Sequence, residues 1–248
     1  MTGSDTARAA QFIRNAHHCI AFTGAGISVE SGIPPFRGEG GIWNKYDPSF
    51  LYINQFFAHP TESWRLIKEI FFDFLGAAKP NAAHLSLARL EQAGILKNTI
   101  TQNIDDLHRK AGSTQVVEFH GNTHSLICTR CGSYKPVEPH DLTKLPPACP
   151  ECTGLLKPDF VFFGEAIPSA PSAEGFREAE MADVVLVIGT TGEVVPACNI
   201  PIEASRRGAT IIEINAAPSR FTHSITDIFL QGKATAVMDA LLAELRLP

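Results

Sequence analysis

The sequence predicts a doubly wound α/β domain carrying a smaller insertion in two pieces, and three observations lead there. Short apolar runs rich in β-branched residues recur along the 248 residues, and segments with helical periodicity separate them. Two stretches, 38–79 and 123–157, break that alternation. Continuous apolar runs joined by helices are the pattern of a parallel sheet covered on both faces.

In chain order, a helix is expected over 6–17, followed by the strand CIAFT at 19–23. The stretch 38–79 reads as loop and helix, because Trp64, Ile67, Phe71, Phe72 and Leu75 recur at helical spacing. Further helices are expected at 82–93, 104–110, 197–207 and 234–245, and further strands at 99–103, 116–120, 184–190 and 210–215. The stretch 123–157 holds four of the six cysteines and is dense in proline, so it cannot be regular throughout. If the two insertions pack together they form a second, small domain beside the sheet.

Composition narrows the function. Against 26 acidic residues stand 21 Lys and Arg, a net charge of −5, and no basic stripe appears, which argues against a nucleic-acid partner. No apolar run approaches the ~20 residues of a membrane span, and the N-terminal stretch lacks the apolar centre of a signal peptide, so a cytoplasmic location is expected. In that compartment cysteines stay reduced, and paired ones read first as metal ligands.

Three motifs carry chemistry. In IAFTGAGIS a strand runs into Gly24-Ala25-Gly26, where backbone could approach a phosphate; an ordinary tight turn is the alternative, since Val29 stands at the third glycine position of G-x-G-x-x-G. Cys128-x2-Cys131 and Cys149-x2-Cys152 have the spacing of a four-thiolate structural Zn²⁺ site, with two disulfides or unrelated thiols as the alternatives. Gln102, Asn103, Asp105, His108 and His120 fall at or just beyond strand ends, where an open α/β sheet presents its ligands. His120 is a candidate general base there, with a hydrogen-bonded structural histidine as the alternative.

Taken together, GAGIS-x2-SGIP-x-FRG (24–38), TQNID-x-LH (101–108), His120-Gly121, the four cysteines, VFFGE (161–165), Gly189-Thr190-Thr191 and Ile214-Asn215 occur in the order found in the sirtuins, which the chain resembles along nearly its whole length. The run AKPNAAH (78–84) is similar to bacterial members. The resemblance implies a Rossmann-like NAD-binding domain from 1–37, 80–122 and 158–248. It also implies a small domain built from a helical module (38–79) and a zinc module (123–157).

It further implies an NAD-dependent protein lysine deacylase. NAD would be the co-substrate, one Zn²⁺ structural, and acyl-lysine proteins or peptides the partners, with no direct nucleic acid and no membrane. Gly24, Ala25 and Gly26 would lie under the pyrophosphate, Phe36 and Arg37 over the nicotinamide end, and Gln102, Asn103, Ile104 and Asp105 around the nicotinamide and its ribose. Gly189, Thr190 and Thr191 would line the cofactor, Asn215 the adenosine ribose and Ala234 the adenine. Asn103 and Asp105 would be catalytic with His120, the base acting on a ribose hydroxyl. Products would be nicotinamide, free lysine and O-acyl-ADP-ribose.

Val161, Phe162, Phe163, Gly164 and Glu165 on one side, and Val194 and Val195 on the other, would pair with the substrate as an added strand. Pro35 stands where the family carries an acidic residue, and Thr191 where it carries serine. The stretch at 63–67 lacks the Tyr-x-x-Arg pair of members that remove acidic acyl groups, so a neutral acyl group is expected, with Trp64 and Phe71 leaving room for longer chains. Mono-ADP-ribosyl transfer from the same NAD site is the alternative activity. A dehydrogenase and a non-catalytic NAD sensor are weaker ones.

Overall fold

The computed structural model describes residues 3–35 and 41–247. Its strands are β1 (Cys19–Thr23), β2 (Leu96–Thr101), β3 (Val116–Glu118), β4 (Gly121–Cys128), β5 (Tyr134–Pro136), β6 (Leu156–Phe160), β7 (Val184–Ile188), β8 (Thr210–Asn215) and β9 (Ile228–Gln231). The α-helices are α1 (Gly3–Asn15), α2 (Ile53–Ala58), α3 (Pro60–Ile67), α4 (Ala82–Gln92), α5 (Leu107–Lys110), α6 (Ser169–Met181), α7 (Asn199–Arg206) and α8 (Ala234–Leu245). A π-helical turn, Lys68–Phe74, extends α3.

Six strands form one parallel sheet in the order β3-β2-β1-β7-β8-β9. β1 and β7 are fully buried, as their unbroken apolar runs require. One apolar layer joins Ile13 of α1, Leu87 of α4 and Leu241 of α8 to Ala21 and Leu186 of the sheet. The opposite layer joins Ala179 of α6 and Ile200 of α7 to Phe22 and Val187. The chain leaves β1 toward β2 on one side and joins β7 on the other, so a crevice opens beyond the carboxyl ends of β1 and β7.

A second, antiparallel sheet, β5-β4-β6, is built from segment 121–160. Its apolar face shares one cluster with the helical stretch: Phe50, Phe56, Trp64 and Phe71 pack with Leu126, Leu156, Phe160 and Phe162. The Trp64 indole N–H donates to Leu156 O at 2.9 Å, tying α3 to β6. Trp64 is thus a core residue joining the two segments, not a wall open to an acyl chain.

Several bounds shift by a few residues, and three departures have a definite cause. The helix expected from 104 starts at Leu107, because the Asp105 carboxylate accepts from Leu107 N (2.9–3.0 Å range of an ordinary bond, here 3.0 Å) and Asp106 takes a left-handed conformation, φ 62°. Helix α6 escapes periodicity because its buried positions are Gly175, Glu178 and Ala179, none of them a large apolar residue. A Cβ on Gly175 would meet Ile200 at 3.1 Å and Phe119 at 3.4 Å. β9 is only four residues long, and it completes the sheet through pairing with β8 that no local pattern announces.

Candidate active site and cysteine cluster

Glycines at the ends of β1 and β7 let two loops cross at the switch point. Gly26 N donates to Gly189 O at 2.8 Å and Gly24 N to Ile188 O at 3.0 Å. A Cβ on Gly26 would lie 2.6 Å from Gly189 Cα, and one on Gly24 2.8 Å from Gly189 O. Gly189 itself has φ 65°. The glycines are therefore required by backbone packing as well as by any phosphate, and Gly26 spends its N–H within the protein. Gly26→Ala is expected to destabilise the fold by about 1–3 kcal/mol, as overpacking does, read as a lower denaturant midpoint with an unchanged slope.

Below this crossing lies a polar network. The Ser28 hydroxyl donates to Asp105 Oδ2 at 2.7 Å, and Asn103 Nδ2 donates to Ser28 Oγ and to Gly24 O, each at 3.2 Å. Gln102 Nε2 donates to Thr190 Oγ1 at 3.1 Å, and Asn215 Nδ2 to Thr190 O at 2.8 Å. Asn103, Asp105 and Gln102 are thus brought together with Gly24, Gly26, Gly189, Thr190 and Asn215. Burial pushes the Asp105 carboxyl above the usual carboxylate range, opposed by the donors Leu107 N and Ser28. Ala25, Asn103, Ile104 and Asp105 line a cavity with the apolar side chains Ile33 and Phe71.

His120 lies just past β3, and its Nδ1 is 3.0 Å from Gln102 O. A carbonyl only accepts, so Nδ1 carries the proton and Nε2 keeps its lone pair. Burial lowers the imidazole below its ordinary value, partly offset by that bond, so the neutral form prevails at pH 7. The adjacent Gly121 has φ 75°, and a Cβ there would lie 2.8 Å from Phe160 Cα, which is why glycine follows the histidine.

Sequence reasoning places His108 only among the strand-end residues and gives Ser28 and His84 no role, since their only signal is membership of the motifs. His84 Nε2 faces Ser28 Oγ at 3.4 Å, and His84 and His108 stack edge to face at 4.9 Å. Thr23 donates to Thr101 Oγ1 at 2.9 Å, so it accepts from His108 Nε2 at 2.9 Å, leaving His108 Nδ1 bare and without a partner among the described residues. A proton there would be buried and unpaired. Burial brings His84 down to about 4, and burial with the neighbouring His84 holds His108 well below its usual value. Between about pH 6.5 and about 4 the unfolded chain binds protons that these folded histidines refuse. Stability is therefore expected to fall with pH across that window by about 1.4 kcal/mol per unit for each histidine. Denaturation curves of the protein and of His84→Gln at pH 7 and 5 check this, the variant showing the shallower loss.

Phe36 and Arg37 lie outside the described residues; Pro35 O accepts from Ile42 N at 2.8 Å, across the span that contains them. The Thr191 hydroxyl donates to Glu193 at 3.4 Å. Ala234 is buried in the apolar layer at the start of α8. Val195 is 70% exposed. In 161–165, Phe162 is buried and Phe163 N and O are bonded to Leu51 O (2.8 Å) and Ile53 N (3.0 Å). The main chain at Phe163 is thus already paired within the protein, so the expectation that the whole stretch pairs with a substrate narrows.

The four cysteine sulfurs lie within 4.8 Å of one another, with Cys128–Cys152 at 3.5 Å and Cys131–Cys149 at 3.8 Å. A Zn–S bond of ~2.3 Å in a tetrahedron sets sulfurs about 3.8 Å apart, whereas a disulfide needs ~2.05 Å. Arg130 N and Cys131 N donate to Cys128 Sγ, and Gly154 N to Cys152 Sγ, which favours thiolates. The donor set fits a tetrahedral ion.

Residues 24–196 match the model of the Sir2 family. The chain belongs to the Sir2 family. This sirtuin is 47% identical over 233 residues to an NAD-dependent protein deacylase of Pyrococcus furiosus, covering 92% of each chain. It is 43% identical over 245 residues to NAD-dependent protein deacylase 2 of Pyrobaculum aerophilum, covering 96% of this chain and 94% of that one. Among solved structures, a Sir2 homologue complexed with NAD superposes at TM-score 0.89 and 40% identity, covering 96% and 93% of the two chains. A Sir2 complex with deacetylated p53 peptide and acetyl-ADP-ribose superposes at TM-score 0.89 and 34% identity, covering 96% and 98%.

Proposed function

We propose that this sirtuin is an NAD-dependent protein lysine deacylase acting on acyl-lysine peptides, with His120 as its general base. The observation that carries the assignment of the base is the Nδ1 bond to Gln102 O, which leaves Nε2 free to take a proton in a site just past the sheet's carboxyl edge. NAD fits the residues present: the cavity offers the amide and carboxylate of Asn103 and Asp105 beside the apolar Ile33, Phe71 and Ile104, as a flat carboxamide ring requires. When bound, NAD supplies the anomeric carbon that receives the acyl oxygen and a ribose hydroxyl.

Each protein group has a part. Ser28 locks Asn103 and Asp105 by accepting from one and donating to the other. Gln102 presents its carbonyl to His120 and its amide to Thr190, joining the base to the cofactor loop. With NAD bound, His120 Nε2 would accept the proton of a ribose hydroxyl.

We divide the chain into an NAD-binding domain (1–37, 80–122, 158–248) and a small domain (38–79, 123–157) carrying one structural Zn²⁺ on Cys128, Cys131, Cys149 and Cys152. Free thiols suit the reducing cytoplasm. The acyl group is neutral, acetyl first. Incubation of an acetyl-lysine peptide with NAD and the protein is expected to yield deacetylated peptide, nicotinamide and O-acetyl-ADP-ribose in equal amounts by mass spectrometry. Nicotinamide release without loss of acetyl would instead assign ADP-ribosyl transfer or NAD hydrolysis.

A further inference from the structure

Lys157 is a buried lysine that the reaction does not use. Lysine is almost never buried unless paired, and an apolar residue fills such a site at less cost, so its retention calls for a reason. Its Nζ donates to Phe160 O at 2.8 Å and to Glu165 Oε2 at 3.0 Å, and stands 4.6 Å from the centre of the Phe162 ring. The same Glu165 oxygen accepts from Phe162 N at 2.8 Å, and Glu165 N donates to Phe162 O at 3.0 Å.

The ammonium therefore closes the turn 160–165 from inside. The turn's outer attachments are equally definite. Val161 N donates to His120 O at 2.9 Å, so the turn begins on the backbone of the proposed base. Phe163 pairs with Tyr52 in a parallel bridge, their rings 5.3 Å apart. Phe160 and Phe162 stack at 4.9 Å beneath.

We infer that Lys157 is a positioning residue for peptide recognition: by holding Phe160 O and the Glu165 carboxylate it sets the shape of the turn on which the strand flanking the acyl-lysine docks. This rests on the deacylase reading. A docked strand binds through main-chain hydrogen bonds, whose strength depends on the direction of the groups on the turn. A blocked single acetyl-lysine has no flanking strand and does not use them.

Lys157→Met keeps the volume and removes the charge. It is expected to lower kcat/KM for an acetyl-lysine peptide by about tenfold, chiefly through KM, as loss of one or two main-chain bonds does. Activity on Nα-acetyl, Nε-acetyl-lysine amide and the KM for NAD should change less than about twofold, and amide exchange at Phe162 and Glu165 should quicken. Lys157→Arg should recover most of the loss. Lys157→Gln, which keeps an N–H donor on a shorter, uncharged side chain, provides a second variant should Lys157→Met fail to fold, with a peptide-selective loss again expected. Equal losses on peptide and single acetyl-lysine, or an unchanged peptide KM in folded variants, would overturn the inference. Absence of deacetylation by the unsubstituted protein would instead overturn the deacylase reading.

Discussion

His120→Ala is expected to abolish deacetylation, with kcat/KM reduced about 10²–10⁴-fold, the span that a positioned general base contributes. Mass spectrometry of an acetyl-lysine peptide with NAD measures it, against a control without NAD. The side chain is not part of the apolar core, and its one strong bond, to Gln102 O, belongs to the active site, so the fold should survive the change. The pH profile gives a second reading of the same group. His120 works only unprotonated, and burial lowers its value, so the acid limb of kcat/KM should lie below about pH 6.5, the ordinary histidine value. Below that limb the rate falls tenfold per unit. An acid limb above pH 7, or an active His120→Ala variant, would remove His120 from the role.

Removal of the proposed zinc is expected to have the largest effect on stability. A structural zinc contributes about 10–16 kcal/mol of apparent binding energy, and where the site forms only on folding that energy is folding energy. Cys149→Ser, or a strong chelator, should release about one zinc per chain, lower Tm sharply and unfold the β5-β4-β6 sheet. The consequence reaches the active site, because β6 begins four residues after Cys152 and runs into the turn whose Val161 N bonds to His120 O. Peptide turnover should therefore fail with the zinc, although no cysteine faces the cavity lined by Asn103 and Asp105. Metal analysis and hydrogen exchange across 121–160 decide it. Unchanged protection after zinc loss would reduce the ion to a passenger.

Much of the large sheet was legible because its strands are buried on both faces. β1 and β8 match the expected 19–23 and 210–215, and α8 the expected 234–245. Where the buried positions hold no large apolar residue, as in α6, the periodic signal vanishes. The second sheet was obscured for a different reason: prolines and cysteines break the pattern of β4, β5 and β6, and their pairing depends on distant chain.

For the site, residue types and order were enough to gather Gln102, Asn103, Asp105 and His120, since all follow strands that a parallel sheet must align. The cysteine spacing likewise pointed to one four-sulfur centre ahead of two disulfides, and the four sulfurs lie within 4.8 Å of one another. What the tertiary structure alone decided is which atoms face one another. Ser28 becomes the link between Asn103 and Asp105, Gly26 is demanded by Gly189 across the switch point, and Lys157 closes a turn that starts on His120. Each of these pairs partners far apart in sequence, or turns a side chain inward against its usual preference. Local composition carries no record of such contacts, because they exist only once the sheet has brought the loops together.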